Sequence, residues 1–150
     1  MVSLKLVPIE YGDQYSLQRQ ALFLYDLLKE RPPEANISHR DLPAFYQHLT
    51  FINSRPYAVW NIIEVCGEPV GSIYLTRGDG PGFLGDEIGI FVSKRAHRTG
   101  IGRQAIKMFM EQNPRAKYYA NISPRNEASL KFFDGLGFKC IQHTYAMEAA

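Results

Sequence analysis

The spacing of apolar and polar positions changes several times along the chain, and each change predicts an element. Residues 3–9 alternate well enough for a first strand, with Leu4, Leu6 and Ile9 as its apolar positions. Gly12 and Asp13 interrupt it and open a helix. Leu17, Ala21, Leu24 and Leu28 then recur at intervals of three and four, a stripe that faces a core. Arg31-Pro32-Pro33 ends that helix, and residues 34–40 read as a loop. Ser38 and Asp41 form a capping-box-like pair ahead of a second helix marked by Leu42, Phe45, Leu49 and Ile52, with Pro43 in its first turn.

Three strands follow in succession. Residues 57–66 are rich in Val, Ile and aromatics and read as a buried strand. Gly67-Glu68-Pro69 turns the chain, and residues 70–76 return as the second arm of a hairpin. Residues 77–82 form a glycine-rich loop, and 83–92 a third antiparallel strand. A third helix carries Ile101, Ala105, Met108 and Phe109 at helical spacing and stops near Asn113-Pro114. Residues 117–122 read as another strand. Asn126 begins a short helix with Ser129, Phe132, Phe133 and Leu136 on one face, and Gly135 and Gly137 stop it. Residues 138–147 read as a last strand. The order βαα, βββ, α, β, α, β predicts an α+β fold: a mixed, mostly antiparallel central sheet of six to seven strands, with about four helices covering both faces.

Composition narrows the class. A chain of 150 residues, 45% hydrophobic and 21% charged, suits one soluble domain spanning 1–150. A net charge of +2 gives no reason to expect nucleic acid or an anionic membrane as partner. No run of about eighteen apolar residues is present, and the first residues lack a signal peptide's apolar core. Cys66 and Cys140 have no metal-ligand spacing. They read as small buried hydrophobes in a reducing cytoplasm, and no metal site is expected.

The chemistry concentrates between Glu87 and Phe109. An apolar strand, Ile88 to Val92, runs into a basic turn, His97-Arg98-Thr99-Gly100-Ile101-Gly102-Arg103, which opens a helix. The first N–H groups of a helix have no intrahelical partner, and the dipole there is positive, so the turn is a candidate anion site. Gly100 and Gly102 keep a Cβ out of a phosphate's way. Lys94, Arg95, Arg98 and Arg103 surround it with positive charge.

A second constellation follows: Asn126-Glu127-Ala128-Ser129, then Phe132-Phe133, then Leu136-Gly137-Phe138. Together the two resemble the GNAT superfamily of acyl-CoA-dependent N-acetyltransferases. The first is similar to that family's pyrophosphate loop, Gln/Arg-x-x-Gly-x-Gly/Ala. The second is similar to its Asn-x-x-Ala/Ser…Tyr…Gly-Phe segment. His97 stands where the family has Gln or Arg, with Arg98 beside it to supply the charge. Phe133 stands where a tyrosine often protonates the leaving thiolate. Ser129 in place of alanine looks more like the ribosomal-protein and small-amine branch. The segment after Met147 is too short for the family's seventh strand.

The resemblance implies acetyl-CoA as cofactor. Its pantetheine would pair with the backbone of Ile90, Phe91 and Val92. Its pyrophosphate would sit on the amides of Arg98, Thr99, Gly100, Ile101, Gly102 and Arg103, and an N–H near Phe91 or Val92 would polarise the thioester carbonyl. Asn126, Ser129 and Phe132 complete the cofactor contacts. An alkyl amine with a pKa near ~10.4 is almost wholly protonated at pH 7, so attack calls for a base. Glu87 is the candidate, since it lies on the cofactor strand and faces opposite Ile88 and Ile90; Asp86 points the other way. For the acid, Ser129 and Tyr145 are candidates, and water is a third. His39 is a candidate contact for the acceptor, a small-molecule amine or a protein N-terminus. The expected protein is therefore a cytoplasmic acetyltransferase, monomer or homodimer.

Two other readings compete. A catalytically silent acyl-CoA-binding module is compatible with Phe133. Gly100-Ile101-Gly102-Arg103-Gln104-Ala105 also fits a dinucleotide fingerprint, but that motif expects an acidic residue about ~20 positions on. Residues 112–126 contain no Asp or Glu.

Overall fold

The computed structural model describes residues 3–32, 41–78 and 86–149. Its sheet runs β1 (Leu4–Pro8), β2 (Val59–Val65), β3 (Glu68–Leu75), β4 (Ile88–Val92), in that spatial order, each pair antiparallel. The helices are α1 (Gln14–Lys29), α2 (Phe45–Asn53), α3 (Ile101–Gln112) and α4 (Glu127–Gly135).

The expected sheet of six to seven mixed strands is overturned: among the described residues there are four strands, all antiparallel. Residues 117–122 meet β4 at a single parallel bridge, Glu87 with Tyr119. There the Ile88 N–H donates to the Tyr119 carbonyl at 2.7 Å and the Tyr119 N–H donates to the Asp86 carbonyl at 2.9 Å. Residues 138–147 pair with no described strand, and 139–149 are exposed. A strand exists through the amide groups of a neighbour. Alternating side chains in 117–122 and 138–147 do not supply one.

Local chemistry explains the smaller shifts. Asp13 caps α1, accepting from the Tyr15 N–H at 3.1 Å and the Ser16 hydroxyl at 2.8 Å. The buried stripe is Leu17, Ala21, Leu24 and Leu27; Leu28 is only half-buried. Helix α2 starts at Phe45, not near Leu42, and the Ala44 N–H donates to Gln47 Oε1 at 2.9 Å. Pro43 disfavours helical backbone at Leu42 and delays the start. Asp41 therefore lies ahead of the helix, and Ser38 falls outside the described residues. The hairpin turn is Cys66-Gly67, with φ of 52° and 82°, so Glu68 and Pro69 already belong to β3. Pro69 sits where the register against β2 shifts, a place that tolerates a missing N–H. Cys66 at this turn and Cys140 in the tail are exposed, contrary to the expectation of burial.

Helices cover both faces of the sheet, as expected. Helices α1 and α2 pack on Ile9, Trp60 and Ile62 through Leu17, Ala21, Leu24 and Ile52. Helices α3 and α4 pack on Ile63, Ile73, Leu75 and Ile88 through Ile101, Ala105, Ile106, Phe109 and Phe133. Strand β4 is the sheet's last strand, and its outer edge is where the candidate chemistry lies.

Candidate active site

Hydrogen bonding along β4 alternates between its two sides. The Thr76 N–H donates to the Glu87 carbonyl at 2.9 Å, and the Ser93 N–H donates to the Val70 carbonyl at 2.7 Å. Residues 87, 89, 91 and 93 therefore turn their backbone groups toward β3, and 88, 90 and 92 turn theirs outward. The outward N–H of Ile88 is taken by the Tyr119 carbonyl. Beyond it, no described strand meets Ile90 or Val92 on that side. The His97 ring closes part of the gap, donating from Nε2–H to the Val92 carbonyl at 2.7 Å. Among the described residues, the edge still offers the carbonyls of Ile88 and Ile90 and the N–H groups of Ile90 and Val92. Of the two donors considered from sequence, Phe91 faces β3 and Val92 faces the opening.

The turn after β4 begins with a short 3-10 segment, Lys94–Ala96, held by the Thr99 hydroxyl on the Ala96 carbonyl at 2.6 Å. Arg98 adopts φ of 62°, a left-handed conformation that strains a residue with a Cβ. Gly100 caps α3 at φ of 80°. It has no side chain to satisfy the first amides, so the N–H groups of Ile101, Gly102 and Arg103 are left as donors. A Cβ at Gly100 would meet nothing within 4 Å, so the turn is open on that side. Gly102 faces inward instead, where a Cβ would lie 3.4 Å from the Phe132 ring. Arg103 is turned to α4, donating to the Gly135 carbonyl at 3.2 Å. Arg95 is turned to the Pro69 carbonyl, so Arg98 is an exposed guanidinium of the turn not bonded to a protein carbonyl, while His97 is spent on the strand.

The carboxylates separate cleanly. Asp86 is paired with Arg115 at 3.6 Å. Glu87 is half-buried, and its N–H donates to Thr76 Oγ1 at 3.0 Å. By strand alternation its side chain shares a face with Tyr74, its neighbour across β3 and one pair along. Burial first, then Glu87's negative charge, raise the Tyr74 phenol above its ordinary range. For Tyr57, burial and the adjacent Tyr74 push the phenol far up, and Glu87 adds to it. Both phenols remain protonated donors next to the carboxylate. Their rings stack at 3.9 Å and 10°.

From the sequence, Tyr57 and Tyr74 are only core or pocket wall. The signal that ties Tyr74 to the site is Gly89: a Cβ there would lie 2.2 Å from Tyr74 Cζ and 2.4 Å from its hydroxyl oxygen. A glycine inside an apolar strand marks such a close approach.

On α4, Asn126 accepts from the Ser129 N–H at 3.2 Å through its side-chain oxygen, which leaves its NH₂ unused by the cap. Ser129 lies half-buried in the first turn. Phe133 is turned into the core, edge-on to Phe132 and Phe138 at 5.2 Å and 5.1 Å. A hydroxyl there would enter an apolar cluster. Phe133→Tyr is therefore expected to leave kcat unchanged within twofold and to lower stability by about 1–2 kcal/mol. Thermal unfolding with a rate assay checks this, and a rise in kcat would show the position reaches the site. Tyr145 is 89% exposed in the tail. His39 falls outside the described residues. His48, on α2, is buried between Tyr25 and Phe51, and burial lowers its pKa. Among the described residues no cluster of His, Cys, Asp or Glu is arranged for a metal, and no helix is long and apolar enough to cross a membrane.

Comparison with known proteins identifies the arrangement. The model of the acetyltransferase (GNAT) family matches residues 21–138. The chain belongs to that family and is an acyl-CoA-dependent N-acetyltransferase. An acetyltransferase from Thermus thermophilus is similar in structure, with TM-score 0.74 and 19% identity over 93% of this chain and 89% of its own. So is a ribosomal-protein-alanine N-acetyltransferase from Brucella melitensis biovar Abortus 2308, with TM-score 0.68 and 17% identity over 99% and 100%. An aminoglycoside N-acetyltransferase in complex with CoA gives TM-score 0.67 and 15% identity over 99% and 96%. No curated protein sequence matches the chain. Acetyl-CoA is the family's cofactor. The residues present fit it: unfilled helix amides in a turn open at Gly100, an exposed arginine, and an unpaired strand edge for an amide-bearing arm.

Proposed function

We propose that the protein acetylates a primary amine by direct attack, with Glu87 removing a proton from the acceptor's ammonium group. The observation that carries this reading is the position of Glu87, the residue bridged to Tyr119 directly before β4, whose outer edge then opens at Ile90 and Val92. Acetyl-CoA supplies the electrophilic acetyl thioester when bound. In this reading the amides of Ile101, Gly102 and Arg103, with the Arg98 guanidinium, hold its diphosphate. The N–H and carbonyl of Ile90 would hold its amide arm, and the Val92 N–H would be the donor at the thioester carbonyl. Phe132 packs behind Gly102, and the Asn126 NH₂, which the cap does not use, would bond to the same cofactor. Ser129 is the proposed proton donor to the thiolate, with water as the alternative. His97 and Thr99 shape the loop through their bonds to Val92 and Ala96.

The acceptor is a small amine or a protein N-terminus. The similar structures named for an aminoglycoside and for a ribosomal-protein alanine support both classes. Incubating the protein with acetyl-CoA and a panel of polyamines, amino sugars, aryl-alkyl amines and alanine-initiated peptides, with free thiol as readout, tests the reading. Thiol release that depends on one class of amine supports it; no release on any, with no CoA binding by calorimetry, overturns it. Within the loop, Arg98→Ala is expected to weaken CoA about tenfold, the scale of one charge-assisted hydrogen bond. His97→Ala is expected to weaken it less, because its ring is committed to Val92. A larger loss in His97→Ala would reverse the assignment.

A further inference from the structure

We propose that Glu30 is a positioning residue for the cofactor loop: its carboxylate holds the root of the β4–α3 connection in the shape that presents the α3 amides. Glu30 terminates α1. Its side chain reaches a segment 63 positions away, where the Ser93 hydroxyl donates to Oε1 at 3.1 Å and to Oε2 at 2.9 Å. The Lys94 N–H donates to Oε1 at 2.9 Å. One carboxylate therefore satisfies two donors on adjacent residues, directly after the last residue of β4.

Those donors matter because of what they begin. Lys94 opens the 3-10 segment, and Ser93, at its cap, makes no side-chain bond to that segment. Glu30 takes the place of the missing cap from another helix. Ser93 is only 4% exposed, and its own N–H is fixed on the Val70 carbonyl at 2.7 Å. From Lys94 the chain of contacts runs through buried Ala96, whose carbonyl receives the Thr99 hydroxyl, to Gly100 and the start of α3. His97 leaves the same turn to bind Val92. Releasing the Ser93 hydroxyl and the Lys94 N–H loosens the turn at its origin, so the orientation of Arg98 and of the α3 amides is held less tightly, by the Ser93–Val70 and His97–Val92 bonds without α1. The latch also joins α1, on the face of the sheet shared by Glu87 and Tyr74, to the loop that serves the cofactor.

This proposal rests on the reading that the α3 amides and Arg98 hold the diphosphate. The test uses the full chain as Glu30→Ala, Glu30→Gln, Ser93→Ala and the double Glu30→Ala/Ser93→Ala. CoA binding by calorimetry, acetyl-CoA KM against kcat, and thermal unfolding are measured together. Glu30→Ala is expected to weaken CoA and raise the acetyl-CoA KM about tenfold with kcat within about twofold. Glu30→Gln is expected to recover to within about threefold, because its amide oxygen accepts from Lys94 and its NH₂ donates to the Ser93 oxygen. The double variant is expected to match Glu30→Ala alone, since both remove one interaction. A folded Glu30→Ala with parental CoA affinity, a Glu30→Gln as weak as alanine, or additive losses in the double would each overturn the latch. If Glu30→Ala does not fold, Ser93→Ala decides: a CoA affinity weakened about threefold supports it, and parental affinity overturns it. A parent protein that binds no CoA would sink the loop reading itself. A parent that binds, weakened by Arg98→Ala but not by Glu30→Ala, sinks only the latch.

Discussion

Glu87→Gln is expected to lower kcat at pH 7 by about 10²–10³ while leaving CoA affinity unchanged. The range is that of a positioned base removed from proton transfer. Glutamine keeps the shape and the strand, so Glu87's N–H bond to Thr76 and the bridge to Tyr119 persist. What disappears is a half-buried carboxylate on the face shared with Tyr57 and Tyr74. The pH dependence separates this from a binding defect. An alkyl ammonium with a pKa near ~10.4 loses its own proton as pH rises, so the need for a base falls. The deficit should therefore shrink steadily between about pH 7 and pH 10, as the neutral amine becomes abundant. A kcat within threefold of the parent at pH 7 would remove Glu87 from the mechanism. A constant deficit at every pH would assign it to positioning the acceptor.

Gly89→Ala is expected to destabilise the protein by about 1–3 kcal/mol, the usual range for overpacking, and to depress turnover. The added methyl would fall 2.2 Å from Tyr74 Cζ. The ring has nowhere to retreat, because Tyr57 lies parallel behind it at 3.9 Å, and Phe51 and Trp60 pack edge-on against Tyr57. Relief must come from β3 and β4 moving apart or from Tyr74 leaving its rotamer, and both disturb the strand that carries Glu87. The cross-strand origin of the penalty is testable by a cycle. In a Tyr74→Ala background, Gly89→Ala should cost less than half as much by thermal unfolding, because the colliding ring is gone. Equal penalties in both backgrounds would place the strain in the backbone and remove Tyr74 from the account.

How far the site was legible follows from the range of each interaction. The proposed phosphate loop is a local object. Gly100's left-handed turn, the amides after it and the neighbouring arginine occupy six consecutive residues, so a motif suffices to find them. The Asn126 cap on Ser129 is equally local. The difference between Arg98 and His97 was not legible, because it depends on the Val92 carbonyl turning toward the ring. Nor was the choice of Val92 over Phe91 as outward donor, since parity along β4 is set by its register with β3. Tyr74 announced itself only indirectly, through a glycine in a strand. Glu30 gave no signal at all: its partners lie on another element, and no spacing rule links them.

The same division governs the fold. The residues alone determined the α-helical stripes, the βββ run in the middle, the covering of the sheet by helices on both faces, and the family. Each is carried by apolar periodicity or by a contiguous motif. Tertiary structure decided how many strands exist. Residues 117–122 and 138–147 have strand-like patterns, yet one makes a single bridge and the other none among the described residues. A helix closes its hydrogen bonds within its own segment, so a local pattern can specify it. A strand borrows its partners from elsewhere, and here, among the described residues, β4 keeps its outer edge open beyond Ile88. That open edge is the feature the proposed chemistry uses.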